Sequence, residues 1–183
     1  MVETCADRLA GFVRDIPDFP AAGVVFKDIT PLLADAGAFA ATIDALVEAF
    51  SGRAVDHVIG VEARGFIMAA PVAYQLGAGL VPVRKSGKLP WAVEEEHYAL
   101  EYGTDRLEIH ADGLPSGSRT LVIDDVLATG GTAAATVRLV EKLGAVVVGL
   151  GFVIELDFLC GRALLPGHDV VSLIRYPGDE VDR

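Results

Sequence analysis

The feature that most constrains the fold is a strand–turn–helix–strand pattern that occurs twice, over residues 57–83 and 119–154. The first unit has a strand at 57–61, a turn at 62–65, a helix at 66–76 capped by Gly77 and a strand at 79–83. The second unit has a strand at 119–123, a turn at 124–131, a helix at 132–143 capped by Gly144 and a strand at 145–154. Continuous apolar strands of this kind are typical of a parallel sheet covered by helices on both faces. We therefore expect an α/β fold with an open, mainly parallel twisted sheet, and ligands beyond the carboxyl ends of its strands.

The remaining segments add two helices and one irregular region. Apolar residues at helical spacing predict a first helix from Val2 to Ile16, ended by Pro17, and a second from Ala36 to Ser51, followed by Gly52. Residues 84–117 are rich in charge, Pro and Gly, which indicates a long flexible flap or a small hairpin. The length of 183 residues corresponds to one domain.

Composition excludes several functional classes. The net charge of −11 and a pI near 4.7 argue against a broad basic face for nucleic acid, so a polyanionic ligand must meet a local basic cluster. The N-terminal residues do not resemble a signal peptide, and no apolar run is long enough for a membrane span. Cys5 and Cys160 lack the spacing of a zinc site or a disulfide framework. We expect a cytoplasmic protein without nucleic-acid or membrane partners.

The densest chemical signal is the stretch LVIDDVLATGGT, residues 121–132. The small residues Ala128, Thr129, Gly130, Gly131 and Thr132 allow backbone N–H groups at a helix start to surround a phosphate. The lysine of a P-loop and the GxGxxG pattern are both absent, which excludes those nucleotide sites. Asp124 and Asp125, just before this loop, could reach ribose hydroxyls or a hydrated Mg²⁺; the alternative is an ordinary helix-capping turn with solvated acids.

These residues resemble a known family. VIDDVLATGGT is similar to the signature of the type I phosphoribosyltransferases, and FPAAGVVFKDITPLL, VEARGF, VRKSGKLP and LEYGTDRLEIHADGL resemble their adenine phosphoribosyltransferase branch, from about Ile16 to Leu173. The resemblance implies purine salvage, in which 5-phosphoribosyl 1-diphosphate and adenine give AMP and pyrophosphate with Mg²⁺ present. It also implies a single domain over residues 1–183, with a base-recognition hood at about 1–35, a flap at about 84–117, and a homodimer.

The resemblance implies roles for the charged residues. The loop 128–132 would bind the 5′-phosphate, and Asp124 and Asp125 would act in catalysis and support the metal indirectly, through water or ribose hydroxyls. The pyrophosphate would be bound by Glu62, Ala63, Arg64, Arg84, Lys85 and Lys88. The alternatives are that Arg64 only pairs with Glu62 and that the lysines are solvated. Ala63 stands where the family commonly has serine. The acids of Trp91–Glu96 also depart from the family, and would either weaken anion attraction or face solvent.

The resemblance also implies a base site and a flap tip. Phe26 would stack on adenine while backbone groups near Val25 and Lys27 read its edge, and Leu156 would form an apolar wall; the alternative is that Phe26 is a core residue. Lys27 replaces a more usual arginine. Glu101 would handle a proton of the purine at the flap tip formed with Tyr102, Gly103 and Thr104, unless it is a surface acid. A carboxylate confined against a purine would have a raised pKa.

Two other functions stay open at this stage. One is a sister enzyme that uses another base, such as xanthine or orotate, against which FKDIT and LEYG argue. The other is a non-catalytic regulator that senses phosphoribosyl diphosphate while binding RNA or DNA, against which the acidic charge and the intact acid pair argue. We expect a structural role for the four histidines, His57, His97, His110 and His168.

Overall fold

The computed structural model describes residues 4–99 and 104–178. The helices in this part of the chain are Cys5–Ala10 (α1), Thr30–Ala34 (α2), Ala36–Ala49 (α3), Gly65–Leu76 (α4) and Gly131–Lys142 (α5). The strands are Arg14–Pro17 (β1), Val25–Asp28 (β2), His57–Val61 (β3), Gly79–Lys85 (β4), Val93–Ala99 (β5), Thr104–His110 (β6), Arg119–Leu127 (β7), Val146–Leu156 (β8) and Val170–Tyr176 (β9). Short 3₁₀ turns, Asp157–Leu159 and Gly161–Leu164, follow β8.

The main sheet has seven strands in the order β5-β6-β4-β3-β7-β8-β9. Strands β4, β3, β7, β8 and β9 are parallel, whereas β6 is antiparallel to both β4 and β5. The predicted mainly parallel α/β sheet is therefore confirmed. The region expected to be a flap forms the β5–β6 hairpin, which extends the sheet at one edge.

Helices cover both faces of the sheet, as the continuous apolar strands predicted. Val58, Leu121 and Ile123 pack in a core with α3 and α4, whereas Ile59 and Val122 pack in a second core with α5. This alternation follows from the two-residue period of a strand. Both cores include residues of β3 and β7. The loops that follow these two strands therefore begin at well-packed residues.

One predicted boundary, the end of β7, was wrong in a way that matters for the site. Strand β7 continues to Leu127, so Asp124 and Asp125 lie within the strand and not in the turn that follows it. Pairing with β8 continues over the same residues, from Asp124 opposite Phe152 to Leu127 opposite Glu155. The acid pair is therefore held by strand hydrogen bonding on the β8 side.

The N-terminal helix was predicted too long. Helix α1 spans only Cys5–Ala10, and Arg14–Pro17 forms β1, which pairs antiparallel with β2. The helical spacing of the apolar residues is thus overridden by tertiary pairing.

Within the described residues, the helices are all too short or too polar to cross a membrane.

Candidate active site

The loop after β7 has the geometry expected of a phosphate site. Gly130 caps the start of α5 in the left-handed region, with φ 84° and ψ −4°, a conformation that favours glycine. The first N–H groups of a helix have no acceptor within it, and the helix dipole adds positive potential there. Residues 128–132, which we call the phosphate loop, line a small cavity of about 80 Å³.

Residues that were not expected from the sequence complete this cavity. Val126 and Phe152 lie in its lining beside Asp124 and the phosphate loop. Phe152 is the strand partner of Asp124, so β7–β8 register places it there. The register of two parallel strands could not be read from a single sequence.

The turn between β3 and α4 approaches the acid pair closely. A Cβ atom on Gly65 would lie 2.6 Å from Oδ1 of Asp124 and 3.1 Å from the carbonyl oxygen of Ile123. Only glycine therefore allows the start of α4 to lie against the end of β7. The peptide bond between Glu62 and Ala63 is cis. Glu62, Ala63 and Arg64 line a cavity of about 330 Å³ together with Asp124 and Asp125.

Three of the four predicted cations, Arg64, Arg84 and Lys85, already have acidic partners. Nε of Arg64 lies 2.6 Å from Oδ2 of Asp125, and Nζ of Lys85 lies 3.5 Å from Asp105. Nε of Arg84 lies 3.1 Å from Glu62. The alternative in which Arg64 pairs with Glu62 is therefore wrong, because Arg84 takes that position.

Lys88 contacts Arg84 through its backbone and not through its ammonium group. Its carbonyl oxygen accepts a hydrogen bond of 2.9 Å from Nη1 of Arg84. The predicted basic cluster is thus largely neutralised by side chains, and a diphosphate would have to replace carboxylates around it.

The acid pair has unusual electrostatics. Burial and the neighbouring charge of Asp125 raise the pKa of Asp124 well above its ordinary value. The backbone N–H of Asp125 donates to Oδ1 of Asp124 at 2.9 Å, and Arg64 is the cation facing Asp125. Asp124 therefore holds its proton to a higher pH than an isolated aspartate would, while Arg64 balances the charge of Asp125.

The donor set fits a metal ion only in part. Among residues 4–99 and 104–178, no group of three or more His, Cys, Asp or Glu side chains is arranged to hold a metal. Mg²⁺ keeps several waters when the protein supplies one or two carboxylates and the substrate supplies phosphates. Asp124 and Asp125 match that case, and not that of a metal site built from protein ligands alone.

The β5–β6 hairpin contributes side chains that were not expected. Tyr98, Asp105 and Leu107 line the 330 Å³ cavity, and the Tyr98 hydroxyl lies 3.3 Å from Asp105. Burial raises the pKa of Tyr98. The alternation of Asp105, Leu107 and Ile109 along one strand face could have indicated an inward face of the hairpin.

The acids of the hairpin differ in their surroundings. Glu96 is half-buried and pairs with Arg138 at 2.6 Å and with Lys142 at 2.5 Å, both on α5. Glu95 lies 3.3 Å from Arg106 on the neighbouring strand, and both Glu95 and Glu94 are exposed. The alternative in which these acids face solvent therefore holds for Glu94 and Glu95, whereas Glu96 attaches the hairpin to α5.

The predicted adenine residues lie at one end of the molecule but not in one cavity. Val25, Lys27 and Leu156 line a cavity of about 540 Å³. The Phe26 ring points to the other face of β2, packs edge-on against Phe19 at 5.2 Å, and has the guanidinium carbon of Arg64 4.9 Å from its centre. Phe26 is half-buried, so it is not a core residue.

The backbone of β2 can read a base edge. The carbonyl oxygen of Val24, just before β2, accepts from N of Phe19 in the turn after β1, so it points to the side of β2 on which β1 lies. Because backbone groups alternate along an antiparallel strand, those of Val25 and Lys27 point to the opposite, free edge. The Lys27 side chain is held 2.7 Å from Asp15 and over the Tyr176 ring. Backbone contacts are thus available while this side chain is engaged.

Some predictions fall outside the described residues or concern isolated side chains. Glu101, Tyr102 and Gly103 lie outside those residues, and Thr104 begins β6. Nδ1 of His57 lies 2.6 Å from the Ser118 hydroxyl, as a structural histidine would. Cys5 and Cys160 are both exposed and form no disulfide.

Comparison with known proteins agrees with this geometry. A family model described as phosphoribosyl transferase domain matches residues 26–164. An adenine phosphoribosyltransferase of Acidothermus cellulolyticus is 59% identical over 169 residues, which cover 92% of this chain and 96% of that protein.

Solved structures give the same result. Adenine phosphoribosyltransferase from Thermoanaerobacter pseudethanolicus superposes with a TM-score of 0.92 at 51% identity, covering 94% of this chain and 100% of the other. The enzyme from Saccharomyces cerevisiae, complexed with an imino-altritol bisphosphate and adenine, gives 0.88 at 41%, covering 94% and 99%. On the family model, the 59% identity and these superpositions, the chain belongs to the phosphoribosyltransferase family, in the adenine phosphoribosyltransferase branch.

Proposed function

We propose that the protein transfers the 5-phosphoribosyl group of 5-phosphoribosyl 1-diphosphate to N9 of adenine, giving AMP and pyrophosphate in purine salvage. The observation that carries this proposal is the shared wall of two cavities. Asp124 and Thr132 line both the 80 Å³ cavity of the phosphate loop and the 330 Å³ cavity with Arg64 and Lys85. A sugar with a phosphate at one end and a diphosphate at the other fits this pair of adjoining cavities.

The reaction exchanges one bond at the anomeric carbon for another. The carbon–oxygen bond to the diphosphate breaks, with its electron pair leaving on the diphosphate, while N9 forms the new bond and its proton passes to a base, the role predicted for Glu101. Positive charge develops on the sugar, so fixed positions and charge balance supply most of the catalysis. The phosphate loop fixes one end of the sugar, while Arg64 and Lys85 neutralise the departing diphosphate.

We propose Mg²⁺ as the cofactor, supported by Asp124 and Asp125 through water or ribose hydroxyls. When bound, it would neutralise diphosphate oxygens. The position of both carboxylates in the lining of the 330 Å³ cavity supports this assignment, because Mg²⁺ commonly binds one or two carboxylates together with water and substrate phosphates. Arg64, which now balances Asp125, would then be free to turn to the diphosphate.

The same movement would open the base site. The Arg64 guanidinium lies over the Phe26 ring. Once it turns to a diphosphate, the ring face is available for adenine, and the free edge of β2 at Val25 and Lys27 can pair with the N1 and N6 edge. The role of Leu156 as a wall of the pocket stays a prediction, because it lines the cavity on the other face of β2.

A base panel tests the proposal. The purified protein is incubated with phosphoribosyl diphosphate, Mg²⁺ and adenine, hypoxanthine, guanine, xanthine or orotate, and kcat/KM is measured for each. Adenine should exceed hypoxanthine by ~10⁴-fold, since groups that pair with one purine edge leave buried polar atoms unpaired against the other. Comparable use of another base would overturn the adenine assignment.

Phe26→Ala tests the stacking role in the same assay. It should weaken use of adenine by roughly 1–3 kcal/mol, the usual size of base–aromatic contacts, while the preference among bases persists. An unaffected variant would exclude stacking.

We also propose a homodimer. Ile67 and Tyr74 lie seven residues apart on α4, so they share a helix face, and their exposed fractions are 44% and 87%. An exposed apolar face of this kind is common at subunit interfaces. Sedimentation equilibrium should give twice the mass of the chain, and Tyr74→Asp should shift the protein toward monomer; a monomeric parent protein would overturn the proposal.

A further inference from the structure

We infer that Gly161 and the Glu155–Arg162 ion pair are positioning residues that hold the phosphate loop in its binding conformation. This inference rests on the proposed function for the identity of the ligand, but its geometry is independent of it. None of these residues was singled out as part of the site by its chemistry or by the family resemblance. Gly161 and Arg162 lie in the second 3₁₀ turn after β8, and Glu155 lies on β8.

The first observation is a reciprocal contact between two glycines. A Cβ atom on Gly130 would overlap the carbonyl oxygen of Gly161 and lie 2.9 Å from its carbonyl carbon. A Cβ atom on Gly161 would overlap the carbonyl oxygen of Ala128 and lie 2.9 Å from the backbone nitrogen of Gly130. The phosphate loop therefore rests directly on the backbone at Gly161, with no room for a side chain on either partner.

The second observation explains what holds Gly161 in place. Arg162 donates from Nε and Nη2 to the two carboxylate oxygens of Glu155, at 2.9 and 2.6 Å, and from Nη1 to the carbonyl oxygen of Val170 at 2.7 Å. A two-bond guanidinium–carboxylate pair fixes orientation as well as distance. The residue next to Gly161 is thus fastened to β8 and to the start of β9.

The third observation connects this pair to the loop through the sheet. Glu155 is the strand partner of Leu127, the last residue of β7 before the phosphate loop. The Glu155 side chain is only 4% exposed, and hydrogen bonds from Arg162 lower its pKa, so it stays ionised. The β7–β8 pairing consequently fixes the start of the phosphate loop, and the backbone contact with Gly161 supports the loop itself.

A site built from backbone N–H groups depends on their directions, so a small displacement of the loop is costly. Misplacement by about 1 Å can reduce catalysis ~10²-fold. Gly161 and Arg162 need not touch the ligand to control its binding. Their effect should appear in ligands that carry the 5′-phosphate and not in the affinity for the base.

Gly161→Ala is the direct test, with Gly11→Ala as its matched control. Gly11 also has an ordinary φ, −62°, and its added Cβ would come no closer than 3.4 Å to the nearest carbonyl oxygen. We expect Gly161→Ala to raise the Kd of AMP measured by calorimetry, and the KM of phosphoribosyl diphosphate, by ~10²-fold. The KM of adenine should change little, and Gly11→Ala should resemble the parent protein.

The ion pair has its own test, with Arg175 as control. Arg175 also approaches Glu155, at 3.8 Å, but its hydrogen bonds go to Asp157. Arg162→Gln should raise the KM of phosphoribosyl diphosphate more than it lowers kcat, and Arg162→Lys should recover part of the loss. Arg175→Gln should leave AMP binding unchanged.

The outcomes separate the two proposals. A parent protein that binds AMP but does not make it from adenine would overturn the proposed function and leave the positioning role supported if Gly161→Ala loses AMP. An active parent whose Gly161→Ala and Arg162→Gln variants keep parental AMP affinity would overturn the positioning role. Variants that lose only thermal stability would do the same.

Discussion

The phosphate loop and the turn at residues 62–65 are the two proposed anion sites, and they are built on different principles. The loop contains no charged side chain, and it rests on the backbone at Gly161. The turn and the neighbouring end of β4 carry Arg64, Arg84 and Lys85, each paired with a carboxylate. The loop is preorganised by geometry, whereas the second region is held neutral and must exchange its partners.

This difference has consequences for substitutions. A change in the loop alters the directions of N–H groups, so it should affect every ligand with a 5′-phosphate in the same way. A change in the charged region removes one of several ion pairs that a diphosphate would replace. Its effect on binding should therefore be partial and limited to ligands that carry a diphosphate.

The largest effect is expected from Gly130→Ala. The substitution places a side chain at φ 84° and against Gly161, so it should reduce AMP affinity by more than ~10²-fold. Gly167→Ala is the control, since Gly167 also has a positive φ, 80°, with open space around its Cβ position. Calorimetric titration with AMP measures both. Equal affinities in the two variants would contradict the preorganised loop.

The next largest effect is expected from Asp124→Asn, which removes the carboxyl group between the two regions that would support Mg²⁺. Activity should fall by ~10²-fold in kcat/KM, a typical cost for one preorganised electrostatic group. Oδ1 of an asparagine can still accept from Asp125 N, so the local hydrogen bond of 2.9 Å is kept. Activity assays with saturating Mg²⁺ measure the loss, and a variant with parental activity would remove Asp124 from the mechanism.

The same variant should be more stable than the parent protein at neutral pH. The pKa of Asp124 is raised in the folded state, so the folded protein retains a proton that the unfolded chain releases. Stability of the parent therefore falls as pH rises from the ordinary aspartate pKa through the raised value. Thermal unfolding across that range should show this fall in the parent and a smaller one in Asp124→Asn.

The sequence predicted the sheet and the loop better than it predicted the charged region, for a physical reason. The strand at His57–Val61 and the caps at Gly77 and Gly144 depend on local hydrophobic pattern and backbone conformation, both of which are visible in the chain. The partners of Arg64 and Lys85 depend on which strands become neighbours. Asp105 reaches Lys85 only because β6 pairs with β4, and nothing local indicates that pairing.

The same reasoning explains what was missed around the phosphate loop. Gly161 lies 31 residues beyond Gly130 in sequence, in a segment with no motif, and its contact depends on the 3₁₀ turn after β8. The aspartates were placed in a turn because charged residues commonly end a buried strand. Pairing with β8 extends β7 past them instead.

A smaller effect is expected from Lys85→Gln, in the charged region. Hydrogen bonds to charged groups contribute about 1.5–3 kcal/mol, so loss of the ammonium group should raise the KM of phosphoribosyl diphosphate by at least ~10-fold. The affinity for AMP, which carries no diphosphate, should stay at the parental value. The measurement compares the change in the KM of phosphoribosyl diphosphate with the change in the Kd of AMP. A parallel loss for AMP would mean that Lys85 acts on the phosphate loop and that the two regions are not separate.

The smallest effect is expected from Ala63→Ser, which adds a contact to the charged region without adding charge. Ala63 lines the 330 Å³ cavity, where the family commonly has serine, so a hydroxyl at this position would face the diphosphate. A neutral hydrogen bond contributes about 0.5–1.5 kcal/mol net, which predicts a decrease of ~2–10-fold in the KM of phosphoribosyl diphosphate. AMP affinity should not change, because the added hydroxyl lies outside the cavity of the phosphate loop. Steady-state kinetics beside calorimetry with AMP distinguish the cases: tighter binding of both ligands would indicate a general stabilisation of the site, and weaker binding of phosphoribosyl diphosphate would show that the cavity at Ala63 has no room for the hydroxyl.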